Sequence, residues 1–408
     1  MGFLADLTYF SKLDRWSHHC NTSITSKLER TAPQPSISSW LVNLSRWRRP
    51  MSGPLVMNNQ TTMEGQLDRR TNNFDLLRLL AAWFVLFSHC YPLSGQPVAD
   101  PFVRHTGIDT LGGIGVSIFF VLSGYLVTNS LERSSSVYSF ARKRAFRIFP
   151  ALAVLTVYCA FWLGPIITTL PLETYLKHPH TFAYLWNISA WKIQYALPGV
   201  FATNPVPVAV NGSLWSLPYE ISCYLALTTL WLLRIPRRAA VTGAVMILSY
   251  LLYARPPMPP ATAFDKYWGV DYYTVKLGLF FAIGAWFSLW RATVKPSLWL
   301  GAALVGVSLA MNHSHEQTAV FVFGFSVFVL ALGSTPGLLP KLPEKMGDWS
   351  YGLYLYGFPV QQVLAMFGLA SAGVAAFAIA STAISLVCAG LSWFLVEKPA
   401  LAIGRSNR

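Results

Sequence analysis

The stretch NNFDLLRLLAAWFVLFSHCYPLSG, residues 72 to 95, decides the fold class, because it is long and apolar enough to be a membrane helix. It also carries two ionisable side chains, Arg78 near its start and His89 near its end. Eleven residues at about 100° each put these side chains on one helix face, about 16 Å apart along the axis. Ionisable residues inside a membrane span are energetically expensive, so both are candidate functional residues.

The whole chain has the composition of a polytopic membrane protein. Of its 408 residues, 53% are hydrophobic and 12% are charged, and the mean hydropathy is +0.42. A net charge of +14 would suggest nucleic acid as the partner of a soluble protein. The basic residues here lie mostly between apolar segments, so we expect the lipid bilayer, and no nucleic acid, as the partner. The five cysteines show no paired spacing that would indicate a disulfide framework or a zinc site.

Apolar segments recur from residue 74 onward and predict an all-α, polytopic integral membrane protein with about ten transmembrane helices. Backbone polar groups in lipid must be paired internally, which favours helices over strands. The predicted spans are residues 74–92, 111–130, 147–169, 214–233, 239–254, 272–290, 297–311, 318–334, 350–370 and 374–396.

The loop charges predict the orientation of these spans. We interpret residues 1–70 as a mobile basic cytosolic tail, 71–400 as the transmembrane domain and 401–408 as a cytosolic C-terminal tail. With the N-terminus in the cytosol, the connections and the C-terminus on that side hold fifteen lysines and arginines, and the outer connections hold five. This asymmetry favours cytosolic N- and C-termini.

Three further ionisable residues lie in or beside the predicted spans. Arg144 and Arg147 are spaced i, i+3 at the entry to the third span, and they are either a positive-inside cluster or a grip for phosphate. Glu220 is the one charged residue of the fourth span, and we expect it in the outer half, at a depth similar to that of His89. Arg78 could alternatively be an interfacial anchor paired with Asp75, and His89 a structural helix-end histidine.

Two outer segments carry weaker signals. The connection 171–213 contains Tyr184, Trp186, Trp191 and Tyr195, which indicate either an interfacial aromatic belt or the lining of a sugar site. The sequence NHSHE, residues 312–316, lacks the defined ligand spacing of a metal centre, so we expect no metal.

Six motifs in order resemble the membrane-bound acyltransferase 3 family, whose members include O-acetyltransferases of surface polysaccharides. The resemblance covers residues 72 to about 400 and departs at Gly357, where many relatives have histidine. The motifs are the R-x10-H of Arg78 and His89, GVSIFFVLSGYLV (115–127), KRAFRIFPAL (143–152), GSLWSLPYE (212–220), SYGLYLYGFPV (350–360) and FLVEKP (394–399).

The resemblance implies ten core helices and an acyl-CoA donor, usually acetyl-CoA. It also implies that Arg78 and His89 are essential, and it brings Arg144, Arg147 and Glu220 into the site. We therefore predict His89, Glu220 and Arg78 as catalytic residues, and Arg78, Arg144 and Arg147 as residues that bind the donor.

These observations predict an enzyme that moves an acyl group, typically acetyl, from cytosolic acyl-CoA to a hydroxyl of an extracytoplasmic glycan, across the bacterial inner (cytoplasmic) membrane. Histidine suits either a general base or a transient acyl carrier, and the sequence leaves both routes open. The alternative from another class is a multi-pass glycan or small-solute transporter, which would turn over no acyl-CoA. The sequence also leaves open whether the protein forms a homo-oligomer.

Overall fold

The computed structural model describes residues 73–95, 100–254, 271–311, 316–343 and 345–405. Within these ranges the chain is helical, and an isolated bridge between Ala196 and Ala209 is the β-type pairing found there. The predicted N-terminal tail and the histidines of NHSHE lie outside the described residues.

A helix occupies each of the ten predicted spans. The helices are α1 Phe74–Leu93, α2 Leu111–Glu132, α3 Val137–Ile167, α4 Leu217–Leu232, α5 Arg237–Ala254, α6 Tyr272–Leu289, α7 Leu298–Ala310, α8 Gln317–Ser334, α9 Ser350–Met366 and α10 Val374–Arg405.

The all-helical membrane class is confirmed, whereas the count of ten spans stays a prediction. Six of the described helices, α1, α2, α3, α6, α8 and α10, are long and apolar enough to cross a membrane. Helices α4, α7 and α9 have 16, 13 and 17 residues, and α5 begins with two arginines. Helix α10 continues to Arg405, five residues into the predicted C-terminal tail.

Local capping defines where several helices begin. The side chains of Thr110, Ser136 and Asp271 accept hydrogen bonds from backbone N–H groups in the first turns of α2, α3 and α6. Such caps satisfy amides that have no partner inside the helix. Helix α3 therefore begins at residue 137, earlier than predicted, and Arg144 and Arg147 lie two to three turns inside it.

Helices α1, α2 and α6 form the centre of the bundle. Helix α2 packs between the other two, and small residues let it approach α6 closely: a Cβ added to Gly124 would lie 2.0 Å from the carbonyl oxygen of Phe281, and one added to Gly284 would lie 2.2 Å from that of Val121. Close approach through small residues is the usual way in which membrane helices associate.

The outward surface of the bundle carries large apolar side chains, including Trp299 at 83% exposure, Ile379 and Leu395. So many large apolar side chains would be unfavourable on a surface that faces water. They therefore indicate that this surface contacts lipid.

Candidate active site

Three arginines and a glutamate line one cavity between helices α1, α2, α3, α4 and α9. The charged lining residues are Arg78, Arg144, Arg147 and Glu220, four of the five predicted site residues. The cavity has a water-accessible volume of about 70 Å³. One water needs about 10–15 Å³ by the same measure, so the cavity can hold several waters or part of a substrate.

Two of the arginines are held by carboxylates that the sequence analysis did not select. Asp348 Oδ2 lies 3.0 Å from Arg78 Nη1 and 2.6 Å from Arg147 Nη2. Arg147 Nη1 also lies 3.2 Å from Glu397 Oε2, and the side chains of both acids are 2% exposed. Arg78 therefore pairs with Asp348, whereas the alternative interpretation paired it with Asp75. This charge network ties α1 and α3 to the start of α9 and the later part of α10.

Local geometry positions the two acids. Glu397 is the last residue of a π-helical turn, Trp393–Glu397, within α10, and the Ser392 hydroxyl donates to its Oε1 at 3.0 Å. Asp348 precedes α9 and accepts hydrogen bonds at Oδ1 from the backbone N–H and the hydroxyl of Ser350. Glu397 lies in FLVEKP and Asp348 just before SYGLYLYGFPV, so a search for lone carboxylates at span ends would have found both.

Arg144 differs from the other two arginines of the cavity. It forms no ion pair within the part of the chain that the structure describes, and its buried Nε has no hydrogen-bond partner there. The carboxylate of Glu220 accepts hydrogen bonds from the hydroxyls of Ser123, at 3.2 Å, and Tyr224. Glu220 and Tyr224 line the same cavity as Arg144. Among the described residues, the guanidinium of Arg144 thus lines the cavity without a carboxylate partner.

A loop whose second half is largely buried, residues 204–216, brings Glu220 into the cavity. Helix α9 contains Pro359, which lacks the N–H that would otherwise bond to the carbonyl of Leu355. The Asn211 side chain donates to that carbonyl at 2.9 Å, and its Oδ1 accepts from the backbone N–H of Ser213. The proline and the asparagine together fix the 3₁₀ turn Gly212–Ser216, which leads directly into α4.

Gln362 supplies further hydrogen bonds to the loop. Gln362 Nε2 donates to the carbonyls of Val206 and Ala209, at 2.8 and 2.5 Å, and Asn204 Nδ2 donates to Gln362 Oε1 at 2.8 Å. Non-helical backbone can lie at membrane depth only where protein groups satisfy it.

Glu220 does not lie at the level of His89, where the sequence predicted it. Its partner Ser123 lies in the half of α2 that approaches the start of α1, where Phe74 and Tyr125 have ring centroids 5.7 Å apart. The sequence-based prediction started the fourth span at the outer surface. The loop 204–216 instead carries the chain toward the arginines before α4 begins, so Glu220 lines the same cavity as the arginines.

His89 is not among the residues that line the cavity. It lies near the far end of α1, next to Ser88, which packs against Gly112 at the start of α2. Its ring meets the ring of Phe358 edge-on at 5.1 Å. One turn of α9, from Tyr354 in the cavity wall to Phe358, separates the cavity from His89, and Glu220 is bonded to Ser123 and Tyr224 rather than to the imidazole.

The link between Asn211 and Pro359 can be tested by a double-mutant cycle. We expect Asn211→Ala to destabilise the protein by about 1–3 kcal/mol, because the buried carbonyl of Leu355 loses its donor. In a Pro359→Ala background, the backbone N–H at position 359 can donate to the carbonyl of Leu355. The Asn211→Ala substitution should then destabilise the protein clearly less. Thermal unfolding in detergent measures the stability of the wild type, the two single variants and the double variant. Strictly additive losses of stability would contradict the proposed link.

Comparison with known proteins identifies the family. Residues 71–393 match the sequence profile of a protein family whose description is "Acyltransferase domain". The chain belongs to the membrane-bound acyltransferase 3 family, of the polysaccharide O-acetyltransferase type. The predicted family is thereby confirmed.

The chain is similar to several curated members over most of their length. It is 31% identical to "O-acetyl transferase" of Shigella phage Sf6, over 81% of this chain and 96% of that protein. It is also 31% identical to "Nodulation protein 10" of Rhizobium leguminosarum bv. viciae, over 82% of this chain and 94% of the relative. With "Exopolysaccharide production protein ExoZ" of Rhizobium meliloti it shares 28% identity, over 73% and 92%. No solved structure matches the chain.

Proposed function

We propose that this acyltransferase moves an acyl group, typically acetyl, from cytosolic acyl-CoA to a hydroxyl of a glycan on the other side of the bacterial cytoplasmic membrane. The assignment of acyl-CoA as the donor rests on the guanidinium of Arg144, which lines the cavity without a carboxylate partner among the described residues. Guanidinium binds phosphate through paired charge-assisted hydrogen bonds, and CoA is rich in phosphate. The names of the relatives, which include an O-acetyl transferase and an exopolysaccharide production protein, support a glycan acceptor.

In this proposal the three arginines of the cavity have different roles. Arg144 contacts the phosphates of the donor. Arg147 and Arg78 are positioning residues, because their guanidinium groups are engaged by Asp348 and Glu397. Glu220 balances the charge of Arg144 in the absence of the donor. It holds Tyr224 and Ser123 at the cavity wall through its hydrogen bonds.

The chemical step is assigned to His89. The neutral imidazole accepts the proton of the glycan hydroxyl while the hydroxyl oxygen attacks the thioester carbonyl carbon. A C–O bond forms, the C–S bond breaks, and the proton passes from the imidazolium to the departing CoA thiolate. The flexible pantetheine arm must carry the thioester about 16 Å along α1, from the level of Arg78 to that of His89.

The donor assignment predicts a specific defect in Arg144→Ala. The loss of a charge-assisted phosphate contact should weaken acetyl-CoA binding by about 1.5–3 kcal/mol, which is roughly 10- to 150-fold in Kd. Isothermal titration of the purified protein measures the change. Lys143→Ala is the matched control, because it removes a neighbouring cation of α3 that does not line the cavity. Equal acetyl-CoA affinity in Arg144→Ala and the wild type would remove Arg144 from the donor site.

The proposed orientation rests on the excess of lysine and arginine in alternate connections. A reporter fused after Arg408 should be active in the cytosol, and one inserted near Pro257 should be active outside. Placement of both reporters on the same side would mean that the spans between them are miscounted.

A further inference from the structure

Four aromatic rings form a cluster on the other side of the start of α4 from the cavity. We name Trp215, Tyr219, Tyr272 and Tyr273 the outer aromatic cluster. The ring centroid of Trp215 lies 4.9 Å from that of Tyr273 and 5.9 Å from that of Tyr219, and the centroids of Tyr272 and Tyr273 are 5.6 Å apart. All four side chains are half-buried, so parts of the rings remain accessible.

Charged groups adjoin the rings. Lys276 Nζ lies 2.5 Å from Asp109 Oδ2 and 5.6 Å from the centre of the Tyr272 ring. The Tyr219 hydroxyl donates to Asp271 Oδ2 at 2.5 Å. Lys276 is buried, whereas the side chain of Asp109 is 20% exposed, so the Asp109 carboxylate has lone pairs available to a ligand.

The cluster lies at the end of the bundle that also holds His89. Asp109 precedes α2, and Tyr272 and Tyr273 begin α6. Helices α2 and α6 run in the same direction, because Asp109 pairs with Lys276 near their starts and Glu132 with Arg291 near their ends. Because the start of α2 packs against Ser88, this end of the bundle is opposite the end that carries Arg78 and Asp348.

An interfacial aromatic belt does not account for this arrangement. Belt residues are exposed at the surface, and Trp186 and Trp191 have this character at 57% and 55% exposure. The rings of the outer aromatic cluster instead face one another, and Tyr272 also lies against the charged pair Lys276–Asp109, which lipid chains would not satisfy. Aromatic walls with a few placed polar groups are typical of a small-ligand site.

We propose that the outer aromatic cluster binds the acceptor glycan, with a sugar ring stacked on Trp215 and Tyr273 and its hydroxyls donating to Asp109. This proposal rests on the proposed glycan acyltransferase function. It moves the acceptor site from the segment 171–213, where the sequence suggested it, to the start of α4 and α6. Adjacent residues then serve the two substrates: Tyr219 faces the acceptor side and Glu220 the donor cavity.

The test measures transfer from labelled acetyl-CoA to de-O-acetylated surface polysaccharide, prepared from a host strain that lacks the gene. In Trp215→Leu and Tyr273→Leu the KM for polysaccharide should rise at least tenfold, with the Kd for acetyl-CoA unchanged. Trp215→Phe keeps a smaller ring and should raise this KM about threefold. Trp191→Leu is the matched control and should leave KM unchanged.

An unchanged KM in Trp215→Leu and Tyr273→Leu would overturn the acceptor site, as would an equal rise in Trp191→Leu. If the leucine variants fail to bind acetyl-CoA, Trp215→Phe decides, and an unchanged KM there also overturns the proposal. Failure of the underlying function is distinguishable, because the wild-type protein itself would then transfer no label to the polysaccharide.

Discussion

His89→Ala protein should bind acetyl-CoA as the wild type does and acylate no glycan within the limit of detection. A positioned general base contributes about 10²–10⁴-fold in rate, and His89 lies about 16 Å along α1 from Arg78, which lines the same cavity as Arg144. Loss of the imidazole should therefore lower kcat without changing donor affinity. Transfer of labelled acetyl groups to surface polysaccharide, together with isothermal titration of acetyl-CoA, separates the two effects.

His105→Ala is the matched control, since His105 is exposed and lies in the short helix Pro101–Thr106. Incubation of the wild type with labelled acetyl-CoA and no acceptor distinguishes the two chemical routes. Label retained on His89 would replace the general-base assignment with an acyl-histidine intermediate. Normal acylation by well-expressed His89→Ala protein would refute both routes and leave His89 a structural residue.

Arg147→Ala should cause the largest loss of stability among single substitutions in the cavity wall. It removes the ion-pair partner that Glu397 has among the described residues, and it removes one of the cations that pair with Asp348. Removal of one partner from a buried ion pair costs about 3–5 kcal/mol, because the other charge stays buried and uncompensated. We expect a markedly lower Tm in detergent and a low yield of monodisperse protein.

Arg291→Ala is the control for this effect. Arg291 pairs with Glu132 at 3.1 Å but is 39% exposed, and exposed pairs contribute only about 0–1 kcal/mol. A Glu397→Gln substitution in the Arg147→Ala background should recover part of the Tm, since it removes one of the uncompensated charges. Equal Tm values for Arg147→Ala and Arg291→Ala would contradict a structural role for the network.

The positions of the helices followed from the sequence. Hydropathy and helix periodicity are properties of contiguous residues, so each predicted span coincides with a helix in the structure. The differences lie where local geometry intervenes. Ser136 caps α3 well before the apolar segment begins, and α10 continues past its apolar segment through a π-helical turn that ends at Glu397.

The family and the candidate residues also followed from the sequence, because a motif is a run of neighbours whose chemistry can be judged directly. Arg78, His89, Arg144, Arg147 and Glu220 were selected in this way, and their functional roles stay predictions.

The tertiary structure alone decided which of these residues meet. Arg78 pairs with Asp348 across 270 positions and Arg147 with Glu397 across 250, whereas His89 lies apart from the cavity. The level of Glu220 depends on a loop held by Asn211 against a carbonyl that Pro359 leaves without a helical partner. Such contacts arise from the packing of distant helices and the need to satisfy each buried polar group, and neither can be obtained from a local window of sequence.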